Sequence, residues 1–335
     1  MKENLDGRVV ALGLALVDEK VRNPMITLPS GGNLVSFLEQ QQETIKKPGG
    51  IVPNIITAFK LFSPTSSTRL LACIGNDERG ILYRSGHKKE LGELQVHPEM
   101  STGVAVTLLD NSGAVLARER NFSASIGVKV PKDEDSSLDK LFVTDIFTTH
   151  LTETAKEVDN VLESIRRNEG VFALCLGGAT PAFAKPEEVL STLAYLRKGP
   201  DFVIGNEHEV QYLTGESNME AMITRIFFDS RIAVITQGKA GSLVRFEGQV
   251  AKIPPYFVEN SDVVDETGAG DCYTGVMLGA LYTKPYAQWT LDHVIKSARI
   301  GAYASALVVK SPETRLIQEE MDAVRNFYFD NLNSV

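Results

Sequence analysis

At residues 263–281 the chain reads VVDETGAGDCYTGVMLGAL, with a lone acid, Asp271, between Gly268-Ala269-Gly270 and a run of small and apolar residues. The run predicts a buried helix, and an acid in a first helical turn gains modestly from the positive end of the helix dipole. That alone would make Asp271 an ordinary cap. The Gly-Ala-Gly step, however, leaves backbone N–H groups uncovered by side chains, so an anion can approach them closely. A carboxylate beside an anion site is a poor arrangement for stability. It suits a site where a negatively charged group arrives and the acid takes a proton from its attacker.

Three other stretches carry residue types that could do chemistry. PGGIVPNIITAF places Gly49 and Gly50 ahead of Asn54 at the expected start of a helix. GNEHEVQYLTG puts Asn206 and Glu209 on one face of a first helical turn after a strand. VITQGKAGSLV ends a strand with Thr236, Gly238 and Gly241, a turn open to a flat ligand. Each also has a plainer reading: Gly-Gly marks many turns, and Asn-x-x-Glu is the spacing of a capping box. Walker-type and dinucleotide-binding glycine motifs are absent, which disfavours a dehydrogenase, and no cysteine/histidine cluster has zinc spacing.

The elements that must position these residues follow from short apolar runs that fit buried strands: RVVALGLALV, TRLLACIG, KLFVTDIF, VFALCLGG, DFVIGN and RIAVITQG. Helical stretches lie between several of them, such as 152–170, where Val158, Val161, Leu162 and Ile165 repeat at helical steps. Strands alternating with helices predict an α/β fold with a mostly parallel sheet covered on both faces. Ligands of such sheets bind at the carboxyl ends of the strands. Residues 19–30 and 101–125 instead show alternation and turn signals, with a hairpin turn at Asn111-Ser112-Gly113. They predict a small β layer, which pattern alone leaves open as a lid or an extra sheet edge. One main domain over 1–335 with these insertions is preferred to two tandem domains.

The chain has 335 residues, 43% apolar and 23% charged, with a net charge of −9. Such a charge argues against general attraction to nucleic acid or an anionic membrane, so a phosphate must be bound by local N–H groups, a few basic side chains or a metal. The apolar run Val9–Val17 is too short for a membrane span and reads as a buried first strand. Cys73, Cys175 and Cys272 are far apart and read as free buried thiols. Together these features predict a soluble, cytoplasmic protein.

Taken in order, the motifs resemble those of the ribokinase, or phosphofructokinase-B (PfkB), family of carbohydrate and nucleoside kinases. Asp265-Glu266-Thr267-Gly268-Ala269-Gly270-Asp271 resembles the family's Asp-Thr-x-Gly-Ala-Gly-Asp signature, Gly49, Gly50 and Asn54 its Gly-Gly-x-x-x-Asn, and Asn206 and Glu209 its Asn-x-x-Glu. GLALVD, with Gly13 and Asp18, looks like a first strand ending in a substrate-binding aspartate, and IGNDERG resembles a further family segment. The resemblance, over residues 8–310, implies a ribokinase-like doubly wound fold with a small β-sheet lid. It implies ATP and Mg²⁺, a small-molecule sugar or nucleoside as acceptor, and Asp271 as the base. N–H groups of Gly268, Ala269, Gly270 and Asp271 would hold the developing charge. Asp18, Gly49, Gly50 and Asn54 would bind the acceptor; Asn206, Thr236, Gly238 and Gly241 the nucleotide. Glu209 would hold Mg²⁺ through water, and Asp265 and Thr267 stand where the family can hold a monovalent cation such as K⁺. The lid is also a surface through which a homodimer could form.

Some positions depart from the family pattern. Glu266 replaces its usual threonine and adds charge near the phosphate path, and LVVKSPETRL lacks a late glycine, which puts the cation loop in doubt. Ile51, Val52 and Pro53 are bulky where small residues are common and would narrow the acceptor end. ERNFSASIGV, with Arg120 as a candidate phosphate contact, looks like the adenosine-kinase-like branch. A ribonucleoside acceptor is therefore expected ahead of a ribokinase- or fructokinase-type sugar, with a catalytically weak binding protein on the same fold as the alternative class.

Overall fold

In a computed structural model, described over residues 7–22, 44–87, 89–109, 115–131, 137–181, 183–195, 199–226, 229–311 and 315–332, the chain opens with β1 (Arg8–Leu12), β2 (Leu16–Arg22), β3 (Thr44–Gly49) and helix α1 (Ile51–Phe62). It continues through β4 (Ser67–Leu71), β5 (Cys73–Gly75), α2 (Glu78–Gly86), β6 (Gln95–His97), β7 (Gly103–Leu109) and β8 (Val115–Asn121). Strand and helix then alternate: β9 (Asp139–Asp145), α3 (Ile146–His150), α4 (Thr152–Arg167), β10 (Val171–Cys175), α5 (Pro186–Tyr195), β11 (Phe202–Asn206), α6 (Glu207–Thr214), α7 (Met219–Arg225) and β12 (Ile232–Thr236). A hairpin, β13 (Ser242–Phe246) and β14 (Gln249–Ile253), precedes α8 (Ala269–Leu281), α9 (Leu291–Val308) and α10 (Gln318–Leu332).

Eight strands form one sheet in the order β14-β13-β12-β11-β10-β9-β1-β4. Pairing is parallel from β4 to β12, and the β13–β14 edge is antiparallel. Successive side chains of these strands enter two different cores. Val9, Ala11, Leu141, Val143, Val171 and Ala173 pack with Met277 and Leu278 of α8, whereas Val10, Leu12, Phe142, Phe172 and Leu174 pack with Val158, Leu162 and Ile165 of α4. Burial on both faces is what apolar runs interleaved with helices predict. From β1 the sheet grows one way through β4 and the other way through β9 to β12, so its topological switch lies between β1 and β9.

A separate four-stranded sheet has the order β3-β2-β7-β8, which bears out the small β layer. Residues 23–30 of the first expected insertion, and the turn at 111–113, lie outside the described residues. Two expectations need correction. RVVALGLALV is not one strand: Gly13 packs its backbone against Val52, and the chain leaves the main sheet there and re-enters strand geometry at Leu16. Asp18 therefore does not end the first strand but lies within the lid strand β2. TRLLACIG also divides, at Ala72, and its second half pairs with β6 instead. The lid strand β3, TIKKPG, shows no alternation that would have revealed it. The three cysteines are buried and free. Among the described residues no helix is long and apolar enough to cross a membrane.

Candidate active site

The turn before α8 is as open as its sequence requires. Gly268, with φ 85°, precedes the helix in the left-handed region, and no side chain caps the first turn. Nothing lies near the space a side chain at Gly270 would fill. Ala269 N donates to the Glu266 carbonyl at 3.3 Å, and the next N–H groups of the first turn, those of Gly270 and Asp271, are in the geometry that receives an anion. Asp271 follows within the same turn and lines a cleft. Burial first, then the nearby charges of Asp18, Asp145 and Glu209, push its carboxyl up to about 8, against a lowering hydrogen bond from Asn54. Such a carboxyl is a stronger base than an exposed one.

Asn54 is buried on α1 and is held at both ends of its amide. Its Nδ2 donates to Asp271 Oδ2 at 2.9 Å, and its Oδ1 accepts from Arg315 Nε at 2.8 Å. The two partners thus dictate which way the amide points. Gly49 and Gly50 are required by close approach. A side-chain carbon at Gly49 would strike the Asp18 carboxylate; one at Gly50 would strike the Leu14 carbonyl, and Gly50 has φ 104° besides. Tyr83, from α2, donates to the Gly49 carbonyl at 3.2 Å, and burial pushes its phenol up to about 12. The glycine pair therefore seats the lid strand carrying Asp18 against the helix carrying Asn54.

Asp18, Gly50, Asn54, Thr267 and Asp271 meet on one cleft of about 150 Å³ between the lid and the carboxyl ends of β1 and β9. Its remaining wall is largely apolar: Leu14, Leu16, Ile51, Phe122 and Phe147. Phe147 stacks edge-on against Phe183 with centroids 4.2 Å apart and meets Phe122 at 5.4 Å. Arg120 lies over the Phe147 ring, 5.2 Å from its centroid, and lines the same cleft. Of the bulky Ile51-Val52-Pro53 step, only Ile51 faces the cleft; Val52 is fully buried.

The other expected residues lie farther along the sheet and do not line this cleft. Asn206 and Thr236 are register partners at the ends of β11 and β12, with Gly238 and Gly241 in the next turn. Gly241 has φ 93°, and a side chain there would strike the Ile253 carbonyl, so the hairpin backbone itself needs this glycine. Asn206 and Glu209 do form a capping box, and the second Glu209 oxygen accepts from Gly178 N at 3.1 Å. Burial raises the Glu209 carboxyl above its ordinary value despite these bonds. Each oxygen keeps a further lone pair, which suits water-mediated contact with a hard cation such as Mg²⁺ better than a dedicated cage. Among the described residues no group of three or more acids, histidines or cysteines is arranged to hold a metal directly.

Asp265 and Thr267 do not stand open to a free cation. The ammonium of Lys20, from β2, donates to Asp265 Oδ2, and to Thr267 Oγ1 at 2.8 Å. Burial raises the Asp265 carboxyl, but the hydrogen bonds from Lys20 and Thr267 outweigh it and hold the group below its ordinary value. Glu266 is exposed.

Sequence reasoning missed three contributors. Asp145 ends β9, caps α3 by accepting from Thr148 N at 2.8 Å, and lines the cleft; burial pushes its carboxyl up to about 6. Its position directly after the apolar run LFVT was the available signal. Arg315 and Lys20 had none, because each reaches its partner across more than 240 residues of chain.

The chain is similar to known proteins in sequence and in fold. A family model described as pfkB family carbohydrate kinase matches residues 15–321. Adenosine kinase of Schizosaccharomyces pombe is 26% identical over 294 residues, covering 79% of this chain and 85% of that protein. The ribokinase of the same organism is 25% identical over 292 residues, covering 82% and 85%. The solved structure of adenosine kinase from Sinorhizobium meliloti superposes with a TM-score of 0.79 at 15% identity, covering 96% of this chain and 99% of that one. At that identity the likeness concerns the fold alone, which is ribokinase-like.

Proposed function

The chain belongs to the pfkB family of carbohydrate kinases, and from that premise we propose that it transfers the γ-phosphoryl group of ATP to the hydroxymethyl group of a ribonucleoside. The observation that carries the choice is the cleft itself. Asp18, Asn54 and Asp271 converge at its polar end, and Leu14, Leu16, Ile51, Phe122 and Phe147 line its wall. A vicinal diol pairs with an aspartate and an amide, whereas a nucleobase gains from an apolar wall that a free hexose leaves unfilled. The adenosine kinase among the relatives supports the same acceptor.

In this reading Asp271 accepts the proton of the attacking hydroxyl, and its raised basicity suits that task near neutral pH. Its late participation is compatible with the loose transition state of phosphoryl transfer. N–H groups at the start of α8, from Gly268 to Asp271, bear the charge that develops on the transferred group. Asn54 hands one hydrogen bond to the acceptor and keeps the base in line. Asn206, Thr236, Gly238 and Gly241 form the nucleotide end. Glu209 and Asn206 would hold Mg²⁺ through water, where it supplies charge neutralisation for the phosphates.

A panel of ribonucleosides, 2′-deoxynucleosides, ribose and fructose, each with ATP and Mg²⁺ and read by ADP release, tests the proposal. Ribonucleosides turn over fastest. Loss of the 2′-hydroxyl leaves a polar partner unpaired and lowers kcat/KM by roughly 5- to 150-fold. Turnover of ribose or a ketohexose with none on any nucleoside would replace the acceptor while leaving a kinase. No turnover of any acceptor, with nucleotide still bound, would favour a binding protein.

A further inference from the structure

Lys20 stands two residues after Asp18 on β2, and the period of a strand puts both on the cleft face. Glu19 between them faces the other way, buried, and accepts from Arg79 Nε at 2.8 Å. This places the Lys20 ammonium between two oxygens, Asp265 Oδ2 and Thr267 Oγ1, in the loop that leads into the anion-receiving turn. The other Asp265 oxygen accepts from Thr267 N at 2.9 Å. The backbone on the far side of the loop is likewise engaged: the Val309 carbonyl accepts from Val264 N at 2.8 Å and from Asp265 N at 3.3 Å. A free K⁺ does not fit these donors, because it would compete with a like charge already in contact with the same oxygens.

We infer that Lys20 is a positioning residue which performs, from within the chain, the service a free monovalent cation would perform at Asp265 and Thr267. It neutralises Asp265, fixes the 265–267 loop ahead of the turn at Gly268, and ties that turn to the strand carrying Asp18. Catalysis is then independent of K⁺. The inference rests on the kinase reading for its consequence, but its geometry does not.

The test compares the full-length wild type with Lys20→Met in potassium chloride and in choline chloride at equal ionic strength. Two quantities are read: ADP release with the preferred acceptor, and the melting temperature without acceptor. The wild type shows the same kcat and the same melting temperature in both salts. Lys20→Met loses roughly 10- to 100-fold in kcat in choline, as for loss of an outer-shell partner, and K⁺ or methylammonium restores part of it. K⁺ also raises the melting temperature of the variant alone. Lys20→Gln replaces Lys20→Met if the latter does not melt cooperatively. Several-fold activation of the wild type by K⁺ would overturn the inference. So would full activity of the variant without K⁺, or a loss that no cation restores. If the wild type phosphorylates nothing, the kinase reading fails, and the melting temperatures decide on Lys20 by themselves: a K⁺ shift confined to the variant supports it, and any other pattern overturns it.

Discussion

The main sheet and the lid sheet bury their strands in different ways. In the main sheet, alternate side chains of β1, β9 and β10 enter apolar cores on both faces. In the lid, one face holds a small cluster of Val21, Val104, Val106 and Leu108, with Glu19 buried beside it. The other face, with Leu16, Asp18, Lys20, Ala105 and Thr107, lines the cleft. Charged contacts, Glu19 to Arg79 and Lys20 to Asp265, add to the apolar packing of Val17 and Leu16 in seating the lid, where the main sheet relies on apolar area. Apolar burial is non-directional and hard to undo locally, whereas an element with less of it is expected to open at a lower free-energy cost. The proposed base, Asp271, sits on the part held by apolar cores; Asp18, the carboxylate proposed to bind the acceptor, rides on the other.

The largest effect falls on the rigid side. Asp271→Asn lowers kcat on the order of 10²–10⁴-fold, the range for a positioned general base, with nucleotide binding little changed. The same substitution carries a pH signature. The folded carboxyl titrates near 8 against an ordinary value of 3.8. Between those values the folded state binds more protons than the unfolded one, so stability falls as pH rises from about 4 to about 8. Melting temperatures measured across that range fall in the wild type and fall less in Asp271→Asn. Wild-type kcat/KM rises over the same interval as the base loses its proton. Near wild-type turnover in a folded Asp271→Asn protein would remove Asp271 from the chemistry.

On the lid side, Arg79→Met strips Glu19 of its nearer cation and leaves an acid that is 1% exposed. Lys46 stays 3.4 Å from Glu19, so the cost falls below the roughly 3–5 kcal/mol of leaving a buried charge without any partner. Hydrogen exchange should show faster opening of β2 and β7 amides while β9 and β10 keep their protection. Equal loss in both sheets would mean that they unfold together and that the contrast between them is false.

A smaller effect tests the seam between the two regions. Arg315→Gln removes the cation that orients the Asn54 amide and costs about 1.5–3 kcal/mol, the worth of a hydrogen bond to a charged group. Kinetics on the acceptor read this as a loss in kcat/KM, without a change in the KM for ATP. The smallest change probes the apolar wall. Ile51→Val deletes one methylene, worth about 0.8 kcal/mol, and weakens nucleoside binding about fourfold without affecting ribose. An equal effect on both acceptors would place the base elsewhere than against Ile51.

Much of this architecture was legible in linear order. Runs such as KLFVTDIF and VFALCLGG, separated by a helix with Val158, Val161, Leu162 and Ile165 on one face, determine a parallel sheet covered on both sides. The continuous apolar run tells the backbone what to do there, because successive strand residues must leave water on one face or the other. Gly268-Ala269-Gly270-Asp271 likewise determines an uncapped helix start followed by an acid, since the conformation is local. The lid was harder. TIKKPG carries no alternation, and the sequence reads Asp18 as the end of the first strand because nothing local at Gly13 announces that the chain departs; the reason is Val52, some forty residues on.

Only the tertiary structure decided which polar groups meet. The Lys20 ammonium on Asp265 and Thr267, the Arg315 guanidinium on Asn54, and Asp145 beside Asp271 bring together residues from distant parts of the chain. Apolar residues betray their place by period, because burial is shared along a whole face. A single charged side chain has no period, and its partner is chosen by where the backbone has already been carried. The sequence by itself therefore determined the sheet, the helix start and its acid, while folding alone determined that a lysine of the lid would occupy the oxygens beside them.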